Sequence, residues 1–215
     1  QEAELTGAVH VSNVTRVCSQ LLQRPWGKVV YCSSAAVYGD LETGARRPSE
    51  VLLPIGAYVT GKLACEEMVL SKGGSVARLA NLYGPGMALN NVIGDILKQV
   101  PGCGPVTVRS LSPVRDFLWA DDAAEALSML AVSGPCGILN VASGHSIDIL
   151  HLVRAVLQVV DESDRQIVET DPCFKMSVVR LDIAQTELLT GWRPRTDLVA
   201  GLRKLLAKRE EAPVD

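Results

Sequence analysis

Tyr58-Val59-Thr60-Gly61-Lys62, read together with Tyr31-Cys32-Ser33-Ser34-Ala35-Ala36-Val37-Tyr38-Gly39 upstream of it, is the stretch from which the rest of the chain can be understood. Residues four apart share one face of a helix, so the Tyr58 phenol and the Lys62 ammonium can enter one pocket. A cation beside a phenol favours the phenolate and draws a pKa that starts at about 10 towards the working range of a general acid or base. The run from Lys28 to Cys32 reads as an apolar strand, and Ser34 lies just past its carboxyl end, within reach of an oxygen that gains or loses a proton. Tyrosine, lysine and serine together suit the interconversion of an alcohol and a ketone. Y-x-x-x-K taken alone reads equally well as an exposed helical pair.

Outward from this stretch, strands and helices alternate. Val14, Val17, Cys18, Leu21 and Leu22 recur at helical spacing before Pro25, and the strand at 28–32 follows. The pattern then predicts a helix over 57–71 and a strand at 75–79. Beyond the turn Gly84-Pro85-Gly86 it predicts a helix over 89–100, a strand at 106–108, a helix over 123–132 and a strand at 138–141. Ser146 is expected to cap a helix over 147–160, Asp121 or Asp122 the helix at 123, and Asp182 and Thr196 to open two more. Trp192 reads as a packing residue. The alternation implies an α/β fold, a mostly parallel sheet with helices on its faces.

Composition narrows the class. Hydrophobic residues make up 47% of 215 positions, enough for one good core or two small domains. A formal net charge of -3 leaves no basic footprint for nucleic acid or an anionic membrane. Apolar runs such as Ala123 to Val132, interrupted by Glu125, are too short to span a bilayer. Gln1-Glu2-Ala3-Glu4 does not open a signal peptide. Cysteines at 18, 32, 65, 103, 136 and 173 never reach C-x-x-C spacing, and His10, His145 and His151 do not join them, so no metal site is expected. A reduced, cytoplasmic setting is the expectation.

The strand, the double serine, Val37-Tyr38-Gly39, Pro54 and the interval from Ser34 to Tyr58 together resemble the extended short-chain dehydrogenase/reductase family, also called the NAD-dependent epimerase/dehydratase family. Arg78-Leu79-Ala80-Asn81-Leu82-Tyr83-Gly84-Pro85 is similar to its R-x-x-N-x-Y-G-P segment, and Arg115-Asp116-Phe117-Leu118-Trp119-Ala120-Asp121-Asp122 to its R-D-F-x-x-V-D-D signature. Gly137-Ile138-Leu139-Asn140-Val141-Ala142-Ser143-Gly144 and Gly191-Trp192-Arg193-Pro194 carry the likeness close to the end. The resemblance implies Ser34, Tyr58 and Lys62 as catalytic residues, Tyr58 and Lys62 also as contacts to NAD or NADP, and Asn81 and Arg115 as contacts to a nucleotide-sugar substrate. Arg115 would grip the diphosphate, which suits a guanidinium fork. Residues 1–86 then form part of a Rossmann-like dinucleotide-binding domain with the Ser/Tyr/Lys site, and 87–215 a smaller, mainly substrate-binding α/β region.

Departures from the family pattern shape the expectation. The glycine-rich strand-turn-helix that lets a backbone approach the pyrophosphate is missing, so the chain reads as the carboxyl-terminal part of a longer enzyme or a truncated relative that binds NAD or NADP weakly. Glu4 stands where an asparagine usually supports the lysine, and Gly61 where serine is frequent. Ala35-Ala36 replace the Asp-Glu of the 4,6-dehydratases, which disfavours dehydration and leaves epimerisation or 4-keto reduction. A non-catalytic relative that binds a nucleotide or nucleotide sugar is the alternative, and a homodimer is compatible with either.

Overall fold

Val30–Ser34 (β1) lies parallel to Ser75–Leu79 (β2), which lies parallel to Gly137–Val141 (β6), with Ser34 opposite Leu79 and Leu79 opposite Val141. These strands belong to a computed structural model that describes residues 2–50, 52, 55–132, 134–174 and 176–210; Pro54, Glu211 and the side chains of Glu4 and 208–210 lie outside what is described. The expected neighbours, the Ser34 strand and the Arg78 strand, therefore pair in parallel. β1 starts and ends two residues later than the sequence pattern predicts, so Ser34 closes the strand instead of following it. The Lys28 ammonium instead reaches back to the Gly134 carbonyl.

Glu2–Leu22 (α1) packs against Ala57–Ser71 (α2), and α2 packs on β1 and β2. Small residues make the approach possible. A Cβ at Gly7 would meet the Ala57 Cβ at 3.0 Å, and a Cβ at Gly61 would meet Val14 Cγ2 at 2.9 Å. Gly61, a weak helix residue, is thus explained by the close crossing of α1 and α2.

A second group of strands sits beyond Leu79. Asn81–Tyr83 (β3) pairs in parallel with Val114–Trp119 (β5), which pairs antiparallel with Ser146–Asp148 (β7); Val106–Val108 (β4) pairs in parallel with Ile167–Glu169 (β8). The helices are Val92–Leu97 (α3), Ala120–Val132 (α4), Ile149–Val159 (α5), Ala184–Thr190 (α6) and Leu198–Glu210 (α7). One hydrophobic core gathers β2, β6, α4 and Trp192; the other gathers Tyr83, Trp119, α3, α5 and α7. The chain passes from the first to the second after β2 and returns for α4 and β6.

Several caps differ from expectation. Ser146 lies in β7, and Asp148 caps α5 by accepting from the His151 amide at 2.8 Å. Asp197, not Thr196, caps α7 through the Ala200 amide at 2.8 Å. Asp122 reaches across to the Arg195 and Thr196 amides at 3.1 and 2.8 Å, and Asp121 accepts from the Trp119 indole at 3.0 Å. Trp192 is buried and donates to the Asp122 carbonyl.

Tyr83 shows how tightly the second core is built. Its ring meets Trp119 edge to face, with centroids 5.4 Å apart, and a Cβ at Gly201 would lie 2.1 Å from the Tyr83 hydroxyl oxygen. Gly201→Ala is therefore expected to destabilise by about 1–3 kcal/mol through overpacking, although alanine favours a helix over glycine by about 1 kcal/mol. Denaturant midpoints check this; a variant midpoint at or above the parent's would contradict the seating of Tyr83.

Candidate active site

Lys62 packs over the middle of β1. Its ammonium donates to the Cys32 carbonyl at 2.8 Å and lies 5.7 Å from the centroid of the Tyr58 ring and 5.1 Å from that of Tyr31. The helical i, i+4 spacing thus places Lys62 and Tyr58 together, as the sequence predicts, and α2 presents both over β1. The Tyr58 ring is half-exposed. Tyr31 is different in kind: burial, with the neighbouring thiols Cys65 and Cys18, pushes its phenol far above the ordinary range, so it stays protonated.

Ser34 stands on the adjacent surface. Its hydroxyl oxygen accepts from the Ala36 amide at 3.2 Å, capping the short helical turn Ala35–Tyr38. Ser34, Leu79 and Asn81 line one cavity of about 350 Å³, together with Val59, the residue after Tyr58, and Arg115. Ser34 and Leu79 are opposite each other in the β1–β2 register, and Asn81 opens β3 two residues further on. The cavity therefore sits beyond the carboxyl ends of parallel strands, where open α/β sheets bind ligands. Among the described contacts Ser34 and Tyr58 share no hydrogen bond.

Arg115 is held more firmly than a surface ion pair. Its Nη1 donates to the Val114 and Ser177 carbonyls, both at 2.8 Å, and its Nη2 donates to Ser177 Oγ at 2.6 Å. Ser177 Oγ in turn donates to Asp40. Burial lowers the guanidinium pKa while Asp40 opposes the shift, and an arginine remains charged throughout. Neither Asp116 nor Asp121 pairs with it: Asp116 accepts from the Ser143 amide at 2.8 Å, and Asp121 takes the Trp119 indole.

Arg115 also lines a second cavity, of about 600 Å³, whose walls include Asp95, Arg109 and Phe174. Arg115 thus lines both spaces. Sequence reading missed the residues of the second space and the anchors Ser177 and Asp40. Ser177 is 62 positions from Arg115, and Asp40 is 137 from Ser177, so no local spacing signals either contact.

Behind the site lies a buried polar row. Ser33, Arg78 and Asn140 are register partners across β1, β2 and β6. Glu66 of α2 accepts from Ser33 and, at 2.7 Å, from Arg78 Nη2. The Arg78 guanidinium lies 4.9 Å from the Tyr38 ring centroid, and the Tyr38 hydroxyl donates to Asn140 Oδ1 at 2.7 Å. The row ties β1, β2, β6 and α2 into one scaffold beneath Ser34 and Lys62. Among the described residues, no three His, Cys, Asp or Glu side chains gather as a metal site, and no helix is long and apolar enough to cross a membrane.

Comparison with known proteins matches residues 1–142 to the family described as NAD dependent epimerase/dehydratase. The chain belongs to that family. It is similar to the GDP-6-deoxy-D-mannose reductase of Pseudomonas aeruginosa, 29% identical over 203 residues that cover 86% of this chain and 66% of the relative. It is likewise similar to the dTDP-4-dehydro-6-deoxyglucose reductase of Escherichia coli, 28% identical over 83% of this chain and 60% of that one. A solved structure of RMD from Pseudomonas aeruginosa complexed with NADPH superposes with a TM-score of 0.78 at 28% identity, covering 86% of this chain and 67% of the other. The chain thus spans about two thirds or less of the length of these curated relatives. As an epimerase/dehydratase family member it carries the Rossmann-like parallel sheet that the sequence resemblance implies.

Proposed function

We propose that this family member acts on a nucleotide sugar as an NAD(P)-dependent epimerase or 4-keto reductase, with the sugar in the cavity beside Ser34 and Asn81. The observation that supports this reading is the position of Arg115. It borders the cavity of Ser34 and Asn81 on one side and the larger cavity of Arg109 and Phe174 on the other. A diphosphate on Arg115 directs the sugar into the first space and the nucleoside into the second. The Ser177 and Asp40 contacts pre-orient the guanidinium, so little side-chain entropy is lost when it meets a phosphate.

The Lys62 ammonium and the exposed Tyr58 phenol, which stand together over β1, would hold the nicotinamide riboside, and a bound NAD(P) would supply or accept the hydride there. Tyr58 then holds the proton that enters or leaves the sugar hydroxyl, Lys62 stabilises the phenolate that remains, and Ser34 hydrogen-bonds the same sugar oxygen. Ala35 and Ala36 offer no second acid or base for the elimination of water.

Calorimetric titration of the 215-residue chain tests the assignment. Nucleoside diphosphates are expected to bind, and Arg115→Ala and the milder Arg115→Lys to weaken them at least about tenfold, the scale of a charged hydrogen bond. NAD(H) and NADP(H) are expected to bind more weakly than the diphosphates, because these residues offer contacts to the nicotinamide end alone and the cost of immobilising the dinucleotide remains. Undiminished binding by both Arg115 variants would remove the diphosphate site, and a low-micromolar cofactor affinity would refute the account of cofactor contacts.

A further inference from the structure

We infer that Arg109 and Asp95 make the larger cavity selective for guanine, an inference that rests on the reading of that cavity as the nucleoside site. The two reductases similar to this chain are named for different nucleotides, one GDP and one dTDP. Family membership therefore leaves the base open, and the residues lining this cavity must choose it.

Arg109 forms one wall, its guanidinium carbon 4.7 Å from the centroid of the Phe174 ring. Asp171 tethers it, with Nε and Nη2 both 3.5 Å from the same carboxylate oxygen. Those distances exceed the roughly 2.7–2.9 Å of a tight charge-assisted bond. The ring orients the fork, and the loose tether lets it turn to a ligand. Asp95, in the first turn of α3, lines the same space. Its Oδ1 accepts from Lys98 at 3.0 Å, and a carboxylate has more acceptor positions than one ammonium occupies. Gln99 and Thr107, which also line the space, engage each other: Gln99 bonds the Thr107 amide, hydroxyl and carbonyl at 2.8, 3.1 and 2.9 Å.

A fork of N–H donors and a carboxylate in one cavity together complement guanine. Guanine presents O6 and N7 as a pair of acceptors, which arginine matches with two parallel bonds, and N1–H with its 2-amino group as a pair of donors, which a carboxylate matches. Adenine places an amino group where guanine has O6, opposing the fork. Uracil and thymine have no counterpart of N7 and offer a single N–H flanked by carbonyls. Cytosine offers the fork its N3 and O2 but the carboxylate only its amino group, so guanine alone meets both residues with paired bonds.

The test is titration of the 215-residue chain with GDP, ADP, UDP, dTDP and CDP. GDP is expected to bind at least about tenfold more tightly than the others, the scale of one bidentate base contact. Arg109→Lys keeps the cation but loses the fork, and Asp95→Asn loses the charged acceptor; each is expected to abolish the preference for GDP over UDP. Both side chains are exposed, so circular dichroism is expected to report a folded variant. GDP no tighter than UDP or CDP, or an intact GDP preference in both variants, overturns the base assignment while the diphosphate site stands. If none of the five binds, the reading of the cavity falls, and the base assignment with it.

Discussion

Tyr58→Phe is expected to lower turnover of a nucleotide sugar about 10²–10⁴-fold, the usual share of a positioned general acid or base, while leaving nucleotide-sugar binding nearly unchanged. The measurement joins these residues to the glycine-rich dinucleotide-binding half of a family relative. The substitution deletes one transferable proton and no packing atom, and the phenol is half-exposed over β1, so the scaffold has no reason to shift. Lys62→Ala is expected to be comparably severe, since its ammonium lies 5.7 Å from the Tyr58 ring centroid and is fixed by the Cys32 carbonyl. A turnover by Tyr58→Phe close to the parent rate would mean that the proton travels by another route. Loss of binding together with turnover would instead mark Tyr58 as a substrate contact.

The largest effect on stability is expected at Arg78. Arg78 and Glu66 meet at 2.7 Å with side-chain exposures of only 3% and 4%, so Arg78→Met leaves a carboxylate buried without its cation. Breaking such a pair from one side costs about 3–5 kcal/mol, whereas replacing both partners by apolar residues is often nearly neutral. The double variant Glu66→Leu/Arg78→Met is accordingly expected to recover part of the loss. Urea or guanidinium unfolding of the parent, the single and the double variant measures this. A single-variant loss under about 1 kcal/mol would show that water or another group reaches Glu66. Lys62 and Ser34 lie on the same α2–β1 unit, so the pair also holds the site in place.

Local features were legible in the sequence wherever local physics decides them. Tyr58 and Lys62 are four apart on one helix, and their meeting needs nothing beyond helical geometry. The strand at 75–79 keeps its predicted limits because its ends are bounded by Gly74 and by the turn into β3. The helix at 147 was not legible in the same way. Ser146 has capping chemistry, but pairing of Asp116 with Ser146 across β5 and β7 holds it extended, and the cap passes to Asp148. Asp122 likewise has the chemistry of a cap, but the Arg195 and Thr196 amides, more than seventy positions away, claim its carboxylate.

The sequence by itself determined the α/β class, the order of most strands and helices, the Tyr58–Lys62 pair and the family, because hydrophobic period, helical spacing and motif order are properties of short stretches. Only the tertiary structure decided that Ser33, Arg78, Asn140 and Glu66 form one buried row, that Ser177 and Asp40 anchor Arg115, and that Arg115 lines two cavities at once. Those relations depend on strand register and on loops brought together from distant parts of the chain, where a shift of a single residue turns each side chain to the opposite face of the sheet.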